Sequence, residues 1–305
     1  MSTAKQINLQ QLANWIDGYT RGVEDRSTAL ANLSVFKRTQ RMTPSVCLIE
    51  PSVVAVVQGV KQMWLAGEAY QYDINNYLLT SVELPGYSEV LEASTEQPCL
   101  GFSYTIDFAL VAELSAQGVT PSALPRSSDK DSFGLGAFDN DLLDAFARLF
   151  ALLQHPQDAE ILAPLIHKEI HYRLLKSEQG HRLNQISLHG THGQRISKAI
   201  DWLKLHYADT LDINLLAEQV QMSTSSLYQH FRQLTGMSPL QYQKWLRLNE
   251  AKRLMISKHL DAAAAAFQVG YESPSHFSRE YRRLYGLPPK KDIESQRAAG
   301  AMLHL

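Results

Sequence analysis

Cysteine, long apolar runs and phosphate-binding glycine loops are scarce or absent in this sequence. The 305 residues include two cysteines, Cys47 and Cys99, so no disulfide framework is needed and a reducing, cytoplasmic compartment is expected. No run of about 18 apolar residues occurs, and the N-terminus lacks the basic and apolar regions of a signal peptide, so we expect no membrane partner. Nucleophile elbows, Gly-rich phosphate loops and CxxC pairs are also missing, which argues against an enzyme.

The first half of the chain contains no histidine, and the first one in the sequence is His155. His167 and His171 have the i, i+4 spacing that can bind zinc on one helix face. However, Glu169 does not follow the first histidine directly, as the glutamate of HExxH does, and no third ligand is evident nearby. We therefore expect no metal, no cofactor and no catalytic residue. Both thiols are expected to be buried and inert, the alternative being an accessible thiolate that senses an electrophile.

Charge is nearly balanced over the whole chain but is distributed unevenly along it. The length leaves room for two domains, and the formal net charge is -2. Residues 1–154 hold 10 Lys and Arg against 17 Asp and Glu, whereas residues 195–291 hold 14 against 8. A basic excess in the second half fits a partner that carries phosphates, although many soluble domains are equally basic.

A short helix, a turn and a second helix with a basic outer face are predicted near the end of the chain. Ser273 and Pro274 form an N-cap and a first helical residue, and Gly286 provides a left-handed stop. Phe277, Tyr281 and Leu284 share one helical face, with arginines opposite. This arrangement is typical of a helix-turn-helix reader of the DNA major groove.

The same pattern occurs 50 residues earlier. STSSLYQHFRQLTGMSP (223–239) aligns with SPSHFSREYRRLYGLPP (273–289) and shares the serine cap, the glycine stop and four other identical positions. The core positions Leu227 and Phe231 match Phe277 and Tyr281 in apolar character. Two copies are too few for a solenoid, so a paired helix-turn-helix is the better interpretation.

At these residues the chain resembles the AraC family of transcription regulators. The matching stretches are VGYESPSHFSREYRRLYGLPP (269–289) and SPLQYQKWLRLNEAKRLM (238–255), the latter as a connecting helix. Tyr281 stands where the family usually has Phe, and an alanine run at 262–266 replaces bulkier residues. The resemblance implies a DNA-binding domain of two helix-turn-helix units joined by one long helix.

The N-terminal half is expected to be mainly β-structure. Residues 5–40 read as helical, whereas 45–108 contain β-branched runs broken by turn signals, among them a hairpin turn at Gln58-Gly59. Two stretches, 56–79 and 163–183, resemble the N-terminal effector domain of one branch of the AraC family, a cupin-like barrel. Aromatic residues of these strands could line a ligand pocket or belong to the core: Trp64, Tyr70, Tyr72, Tyr77 and Tyr104.

Four segments lie between the strand-rich region and the predicted DNA-binding domain. Residues 118–138 are rich in Gly, Pro and Ser and are predicted to form a loop. Residues 139–154 form an amphipathic helix whose apolar stripe packs on its own barrel, forms a homodimer contact, or does both. A further helix at 161–175 leads to a polar linker at 177–194.

The residues expected to contact DNA lie on the exposed faces of the two second helices. Gln229 and Arg279 are equivalent in the repeat and correspond to base-reading positions of the family, since Gln suits adenine and Arg suits guanine. Arg232, Arg282 and Arg283 lie later and more laterally, where phosphate contact is expected. The full set is Ser225, Ser226, Tyr228, Gln229 and Arg232 in the first unit, and Ser275, His276, Arg279, Arg282 and Arg283 in the second.

We therefore expect an α+β protein with a cupin-like β-barrel and flanking helices, followed by an all-α domain. The expected boundaries are an effector-sensing and dimerisation domain at 1–176 (barrel about 43–115, helices about 139–176), a linker at 177–194, the DNA-binding domain at 195–291 and a tail at 292–305. The expected partners are double-stranded promoter DNA, a small-molecule effector, a second copy of the chain, and RNA polymerase if the protein is an activator. The alternatives are an architectural DNA-binding protein without ligand response and a cupin-type enzyme.

Overall fold

The computed structural model describes residues 3–122 and 132–302, and it separates into two compact units. The N-terminal unit comprises Met1–Gln194 with Gln233–Gly236, and the C-terminal unit comprises Arg195–Arg232 with Met237–Leu305. No helix in the described ranges is long and apolar enough to cross a membrane. The helices are α1 (Thr3–Tyr19), α2 (Phe108–Ala116), α3 (Asn140–Ala151), α4 (Pro156–Lys176), α5 (Gly180–Ser187), α6 (His192–Leu205), α7 (Ile213–Gln219), α8 (Thr224–Thr235), α9 (Pro239–Ser257), α10 (Ala262–Gln268), α11 (Pro274–Tyr285) and α12 (Pro289–Met302).

All of the described strands belong to the N-terminal unit, where they form two antiparallel sheets. A six-stranded sheet has the order β1-β2-β9-β4-β7-β10, and a four-stranded sheet has the order β3-β8-β5-β6. The predicted α+β organisation, a sheet-rich part with flanking helices before a helical part, is thereby confirmed. The strands are β1 (Asp25–Ser27), β2 (Leu33–Arg38), β3 (Met42–Ile49), β4 (Ser52–Gln58), β5 (Val60–Leu65), β6 (Glu68–Tyr72), β7 (Asn76–Thr80), β8 (Leu84–Glu92), β9 (Cys99–Thr105) and β10 (Phe133–Ala137).

Several local predictions for this unit are wrong. The helix expected over 5–40 ends at Tyr19, and β1 and β2 follow it. Leu33 and Phe36 have the spacing of a helical face, but they are buried in β2, which pairs with β9. The stretch 108–115, expected at the end of the barrel, is helix α2. The loop expected over 118–138 contains β10, which pairs with β7, while residues 123–131 lie outside the described part of the chain.

The Gln58-Gly59 turn does not form a hairpin. It leads from β4 in the first sheet to β5 in the second, and these two strands pair with other partners. Gly59 has a φ of +88°, and a Cβ atom there would lie 2.7 Å from the carbonyl oxygen of Glu92 and 2.9 Å from Cys99. Only glycine therefore fits this crossing without strain.

The amphipathic helix α3 completes the core of the N-terminal unit. Asp139 caps it by accepting a hydrogen bond from the Leu142 amide at 2.8 Å. Its apolar stripe is almost fully buried, and Phe146 contacts the rings of Phe102 and Tyr104. Of the two possibilities for this stripe, packing within its own unit is the one that the structure shows.

The region expected to be a linker contains helix α5. Leu183 and Ile186 of this helix are buried, and Leu183 belongs to the same core as the sheets. The expected tail likewise contains helix α12, in which Asp292 and Ile293 are buried. These segments have few apolar residues, but Leu183, Ile186 and Ile293 among them are buried in cores formed with elements distant in sequence.

The two histidines of α4 have a packing role. The Asp107 amide donates to His171 Nε2 at 2.9 Å, so the proton lies on Nδ1, which donates to the His167 carbonyl at 2.7 Å. His167 Nδ1 is paired with the Tyr104 hydroxyl at 2.7 Å. Both nitrogens of His171 are engaged, so this ring cannot serve as a metal ligand without losing a hydrogen bond. Burial lowers the pKa of both histidines below the ordinary value of 6.5.

These lowered pKa values predict that acid destabilises the N-terminal unit. Between the folded pKa and 6.5 the unfolded chain binds more protons, so the stabilisation is complete above pH 6.5 and is lost as pH falls below it. The expected slope is at most about 1.4 kcal/mol per pH unit for each histidine. Denaturant unfolding from pH 7 to 5 measures this slope, which should be smaller in His171→Gln and unchanged in the control His155→Gln at an exposed position. An unchanged slope in His171→Gln would contradict the assignment.

Candidate nucleic-acid interface

The first helix-turn-helix consists of α7 and α8, and its ends are capped by side chains. The Asp212 carboxylate accepts hydrogen bonds from the Asn214 and Leu215 amides at 2.9 and 3.2 Å. The Ser223 hydroxyl accepts one from the Ser226 amide at 3.2 Å. The apolar side of α8 is fully buried, so its opposite side faces solvent. The buried side chains of α8 are Leu227, Phe231 and Leu234.

The second helix-turn-helix, α10 and α11, repeats this arrangement. The Asp261 carboxylate accepts from the Ala264 amide at 2.7 Å, and Ser273 caps α11 through the His276 amide at 3.4 Å. Gly286 ends α11 with a φ of +81°, as predicted. The predicted caps and stop are thus present in both copies. The buried side chains of α11 are Phe277 and Tyr281.

Tyr281, where the family usually has Phe, is accommodated by a hydrogen bond. Its buried hydroxyl donates to Asp292 Oδ2 at 2.6 Å, and Asp292 also forms an ion pair with Lys252 at 3.0 Å. Burial followed by this carboxylate raises the pKa of Tyr281, so the phenol remains protonated. The substitution therefore links the core of α11 to α12, an interaction that a phenylalanine cannot make.

The long helix α9 joins the two helix-turn-helix units through a half-buried arginine. Arg247 donates to the carbonyls of Tyr207 at 2.6 Å, Asp209 at 2.8 Å and Gly270 at 2.9 Å. The first two carbonyls follow α6, and the third lies in the turn before α11. Leu248 and Leu254 of the same helix are buried against the second unit. Arg247 therefore holds the second recognition helix in place, and four of its five N–H donors are used within the protein.

All ten residues predicted to contact DNA lie on α8 or α11, and nine of them are exposed. Ser226, whose amide is bonded to the cap, is half-buried. The hydroxyl of Ser225 is also paired with the cap, 3.1 Å from that of Ser223. The nine exposed residues are Ser225, Tyr228, Gln229, Arg232, Ser275, His276, Arg279, Arg282 and Arg283.

The cationic side chains of these two faces differ in how they are held. Within the described ranges, no hydrogen bond or ion pair occupies the guanidinium groups of Arg232, Arg279, Arg282 and Arg283. His276 Nε2, by contrast, lies 3.5 Å from Glu280 Oε1. Glu280 also accepts from Lys244 at 2.8 Å and from the Tyr271 hydroxyl at 2.7 Å. The four arginines are therefore available to an anionic partner, whereas His276 has a carboxylate beside it.

The N-terminal unit contains a second candidate site, a cavity of about 430 Å³. Both sheets contribute to it, with Phe36 and Val54 from the first and Lys61, Met63 and Val90 from the second. None of these five side chains was predicted to line a pocket. Among the aromatic residues considered for a pocket, Tyr72, Tyr77 and Tyr104 are core residues, and Trp64 is partly exposed and donates to Glu89 at 3.2 Å.

The two cysteines lie near this cavity but are poorly placed to react. Cys99 is fully buried, and Cys47 is half-buried in the cavity lining. Burial raises the pKa of both thiols to about 11, so the reactive thiolate is disfavoured at neutral pH. No group of three or more metal-ligating side chains occurs in the part of the chain that the structure describes.

Comparison with known families agrees with this geometry. Residues 29–182 match the model of the AraC-type transcriptional regulator N-terminus, and residues 216–294 match a helix-turn-helix domain model. The first match alone spans half of the chain. The protein belongs to the family of AraC-type transcriptional regulators. This family membership confirms the resemblance inferred from the duplicated helix pair.

Curated relatives support the same family. The HTH-type transcriptional activator RhaS of Escherichia coli strain SE11 is 31% identical over 103 residues, which cover 34% of this chain and 37% of the relative. RhaS of Escherichia coli O1:K1 / APEC is 25% identical over 174 residues, 57% of this chain and 62% of the relative. The matched regions thus span less than two thirds of either relative.

Solved structures show the same fold. Apo ToxT from Vibrio cholerae strain SCE256 aligns with a TM-score of 0.57 at 11% identity, over 88% of this chain and 98% of that one. Wild-type ToxT from the same strain, bound to an unsaturated fatty acid, aligns with a TM-score of 0.56 at 13% identity, over 88% and 96%. At these identities the likeness concerns the fold alone.

The role of Arg247 predicts a large and local stability effect. Arg247→Met removes the donors from four carbonyls, those already named and that of Ala208 at 3.3 Å. The change is expected to lower the free energy of unfolding of the C-terminal unit by about 2–3 kcal/mol. The matched control is Arg253→Met on the same helix, since Arg253 is exposed and pairs only with Glu250 at 2.7 Å. That change should cost less than about 0.5 kcal/mol. Urea unfolding followed by circular dichroism measures both, and equal losses would contradict the assigned role.

Proposed function

We propose that this protein is a sequence-specific DNA-binding transcription regulator that reads promoter DNA with both helix-turn-helix units. The observation that carries the proposal is a duplicated, capped helix. In each copy one face is buried in the core, and the opposite face exposes guanidinium groups that are unpaired among the described residues. A recognition helix presents such a face to the major groove. This function needs no catalytic residue, and it places the protein with the chromosome in the bacterial cytoplasm.

Base reading is assigned to the equivalent residues Gln229 and Arg279. Gln can form a bidentate pair with the N6/N7 edge of adenine, and Arg with O6/N7 of guanine. Arg232, Arg282 and Arg283 lie later on the helices and suit phosphate contacts, which position the protein without reading sequence. Tyr228 and Ser275 add polar contacts beside them. Ser225, Ser226 and His276 have weaker roles in this scheme, because intramolecular hydrogen bonds or an ion pair already engage them.

The two units are expected to enter successive major grooves on one side of the duplex. Adjacent grooves on one face are about 34 Å apart, so one chain would cover roughly 15–20 base pairs as an asymmetric site. Two recognition helices at a fixed spacing select a defined arrangement of bases, which favours a regulator over an architectural protein. A regulator bound beside a promoter would contact RNA polymerase if it acts as an activator.

A small-molecule effector is assigned to the cavity between the two sheets. The cavity of about 430 Å³ is within the usual size range of ligand pockets and has a largely apolar lining. ToxT, which shares the fold, has been solved with an unsaturated fatty acid, so a protein of this fold can bind a small molecule. An architectural protein without ligand response would have no use for this domain.

We assign the homodimer contact to α4, since α3 is occupied within its own unit. Ile161, Leu165 and Tyr172 form a stripe along α4 and are 70%, 63% and 44% exposed. A second copy of the chain fits this stripe, because antiparallel pairing of two α4 helices brings acidic N-terminal turns near basic C-terminal turns. Asp158 lies in the first turn and Lys176 in the last. Isologous pairing of this kind is the commonest form of dimer.

The assignment of base and phosphate contacts makes a testable distinction. Arg279→Ala is expected to weaken binding to a selected site by about 1–3 kcal/mol and to relax preference at one base. Arg283→Ala should weaken binding to all sequences alike and reduce the salt dependence by about one charge. Mobility shifts on sites enriched from a random DNA library, together with footprinting, measure both effects.

The control for these variants is Arg253→Ala, since this arginine lies on α9 and pairs with Glu250. Its DNA affinity should equal that of the wild type. If Arg279→Ala and Arg283→Ala also matched the wild type in mobility shifts and footprints, the proposed interface would be wrong.

The dimer assignment predicts that charge on α4 separates the protomers. Ile161→Glu combined with Leu165→Glu should raise the dimer dissociation constant at least about 30-fold, because two apolar contacts on each protomer are replaced by carboxylates that would lose their water on association. Light scattering coupled to size exclusion measures the mass. Val23→Glu, an exposed apolar position away from α4, is the control. A dimer that persists unchanged in the double variant would exclude α4 as the interface.

A further inference from the structure

A lysine occupies an inward position of the four-stranded sheet. Along β5, Lys61, Met63 and Leu65 are buried with exposures of 8%, 4% and 1%, whereas Trp64 between them points outward. Side chains alternate between the two faces of a strand, so Lys61 stands where the pattern favours an apolar residue. It is also a central position, because β5 lies between β6 and β8.

Lys61 has no ion-pair partner among the described residues, although Glu50 lines the same cavity. Its cross-strand partners are Tyr72 and Val90, and its ammonium lies 4.2 Å from the centroid of the Phe36 ring. Among the residues with described positions, none accepts a hydrogen bond from Lys61 Nζ or lies within ion-pair distance of it. Asp25 is the nearby carboxylate, but it is held by Arg38 through two hydrogen bonds of 2.8 Å.

An unpaired ammonium in this position is unfavourable in the free protein. Burying a charge without a partner costs more than the attraction of one aromatic ring returns. Burial, and then the positive charge of Arg38, lower the pKa of Lys61, while the thiols of Cys47 and Cys99 act in the opposite direction. A buried polar group of this kind calls for a partner that the described chain does not provide.

The cavity described above provides space for such a partner, because Lys61 is part of its lining. The lining includes the apolar side chains of Phe36, Val54, Met63 and Val90, together with Arg38, Glu50 and four serines. Tyr72, opposite Lys61 on β6, is 1% exposed, and its hydroxyl lacks a hydrogen-bond partner in the described structure. The site thus places a buried cation without an ion-pair partner beside apolar side chains, which suits a ligand having one anionic group and an apolar body.

We propose that the cavity binds a small monocarboxylate with an apolar body, whose carboxylate accepts a hydrogen bond from Lys61 Nζ. This inference rests on the proposed function, since it gives the chemical class of the effector assigned to the same cavity. The carboxylate supplies the missing counter-charge, and the apolar body packs against the side chains of both sheets. Binding is therefore expected to link the two sheets and to stabilise the N-terminal unit.

The test compares acids with neutral amides of the same shape on the full-length protein. The probes are octanoate and benzoate, with octanamide and benzamide as their uncharged counterparts. Thermal shift and titration calorimetry are performed on the wild type, on Lys61→Met, and on Lys168→Met as the control. Lys168 is a partly exposed lysine of α4 that pairs with Glu113 at 2.7 Å. Mobility shifts on the enriched DNA site are measured with and without each acid.

We expect at least one acid to stabilise the wild type and Lys168→Met, and its amide to bind at least about tenfold more weakly, because hydrogen bonds to charged groups are the stronger ones. Lys61→Met should bind the acid more weakly than the wild type by the same factor. Without ligand it should melt at a higher temperature than the wild type, because the unpaired charge is gone. The comparison of acid with amide in the wild type requires no variant to fold.

Three results would overturn the proposal: neither acid binds, acid and amide bind equally, or Lys61→Met retains the affinity for the acid. If one of these occurs while the protein still shifts its DNA site, the carboxylate inference fails and the DNA-binding function stands. If no DNA is bound under any condition but the acid binds through Lys61, the proposed regulatory function fails and the ligand site stands.

Discussion

Burial of one face of each recognition helix is the constraint on which the candidate interface depends. In α8 the buried face holds Leu227 and Phe231, and in α11 it holds Phe277 and Tyr281. Side chains of a helix are distributed around its axis, so once this face is packed the residues between must point to solvent. The exposure of Gln229 and Arg279 is therefore a consequence of core packing. The caps and stops determine where each helix begins and ends, and Arg247 holds the second helix-turn-helix against the rest of the C-terminal unit.

Positive charge has three different roles in this molecule, and solvation distinguishes them. The four arginines on the outer faces of α8 and α11 remain unpaired at little cost, because water surrounds them. Arg247 is half-buried, and carbonyl oxygens accept most of its donors. Lys61 is buried without an acceptor among the described residues. Cations exposed to water are free to bind phosphates. A cation whose donors are satisfied by carbonyls stabilises the fold, and a buried cation without an acceptor indicates a missing ligand.

In the N-terminal unit, the more regular of two apolar helical stripes is the one that is buried. Both α3 and α4 carry apolar residues at helical spacing, and the stripe of α3 is the more regular. Packing against the sheets uses the stripe of α3 completely, whereas Ile161 and Leu165 of α4 stay exposed because α4 buries a different side through Ile166 and Ile170. The less regular pattern thus leaves apolar surface for a partner. Periodicity indicates that a helix face will be buried. Only the tertiary structure shows which elements bury it.

The helix-turn-helix pair, its caps and its stops could be predicted from the sequence alone, because each depends on residues within one or two turns of the chain. Ser273, Phe277 and Gly286 act locally, and the repeat confirmed the pattern. Other features depended instead on pairing between segments far apart in sequence, such as β2 with β9 and β7 with β10. These features are the strands β1, β2 and β10, the crossing at Gly59 and the inward position of Lys61. Leu33 and Phe36 suit a helix or a strand equally well until that pairing exists. Local hydrogen bonds and spacing therefore determined the recognition helices, while the cavity and the isolated charge inside it were decided only by the tertiary structure.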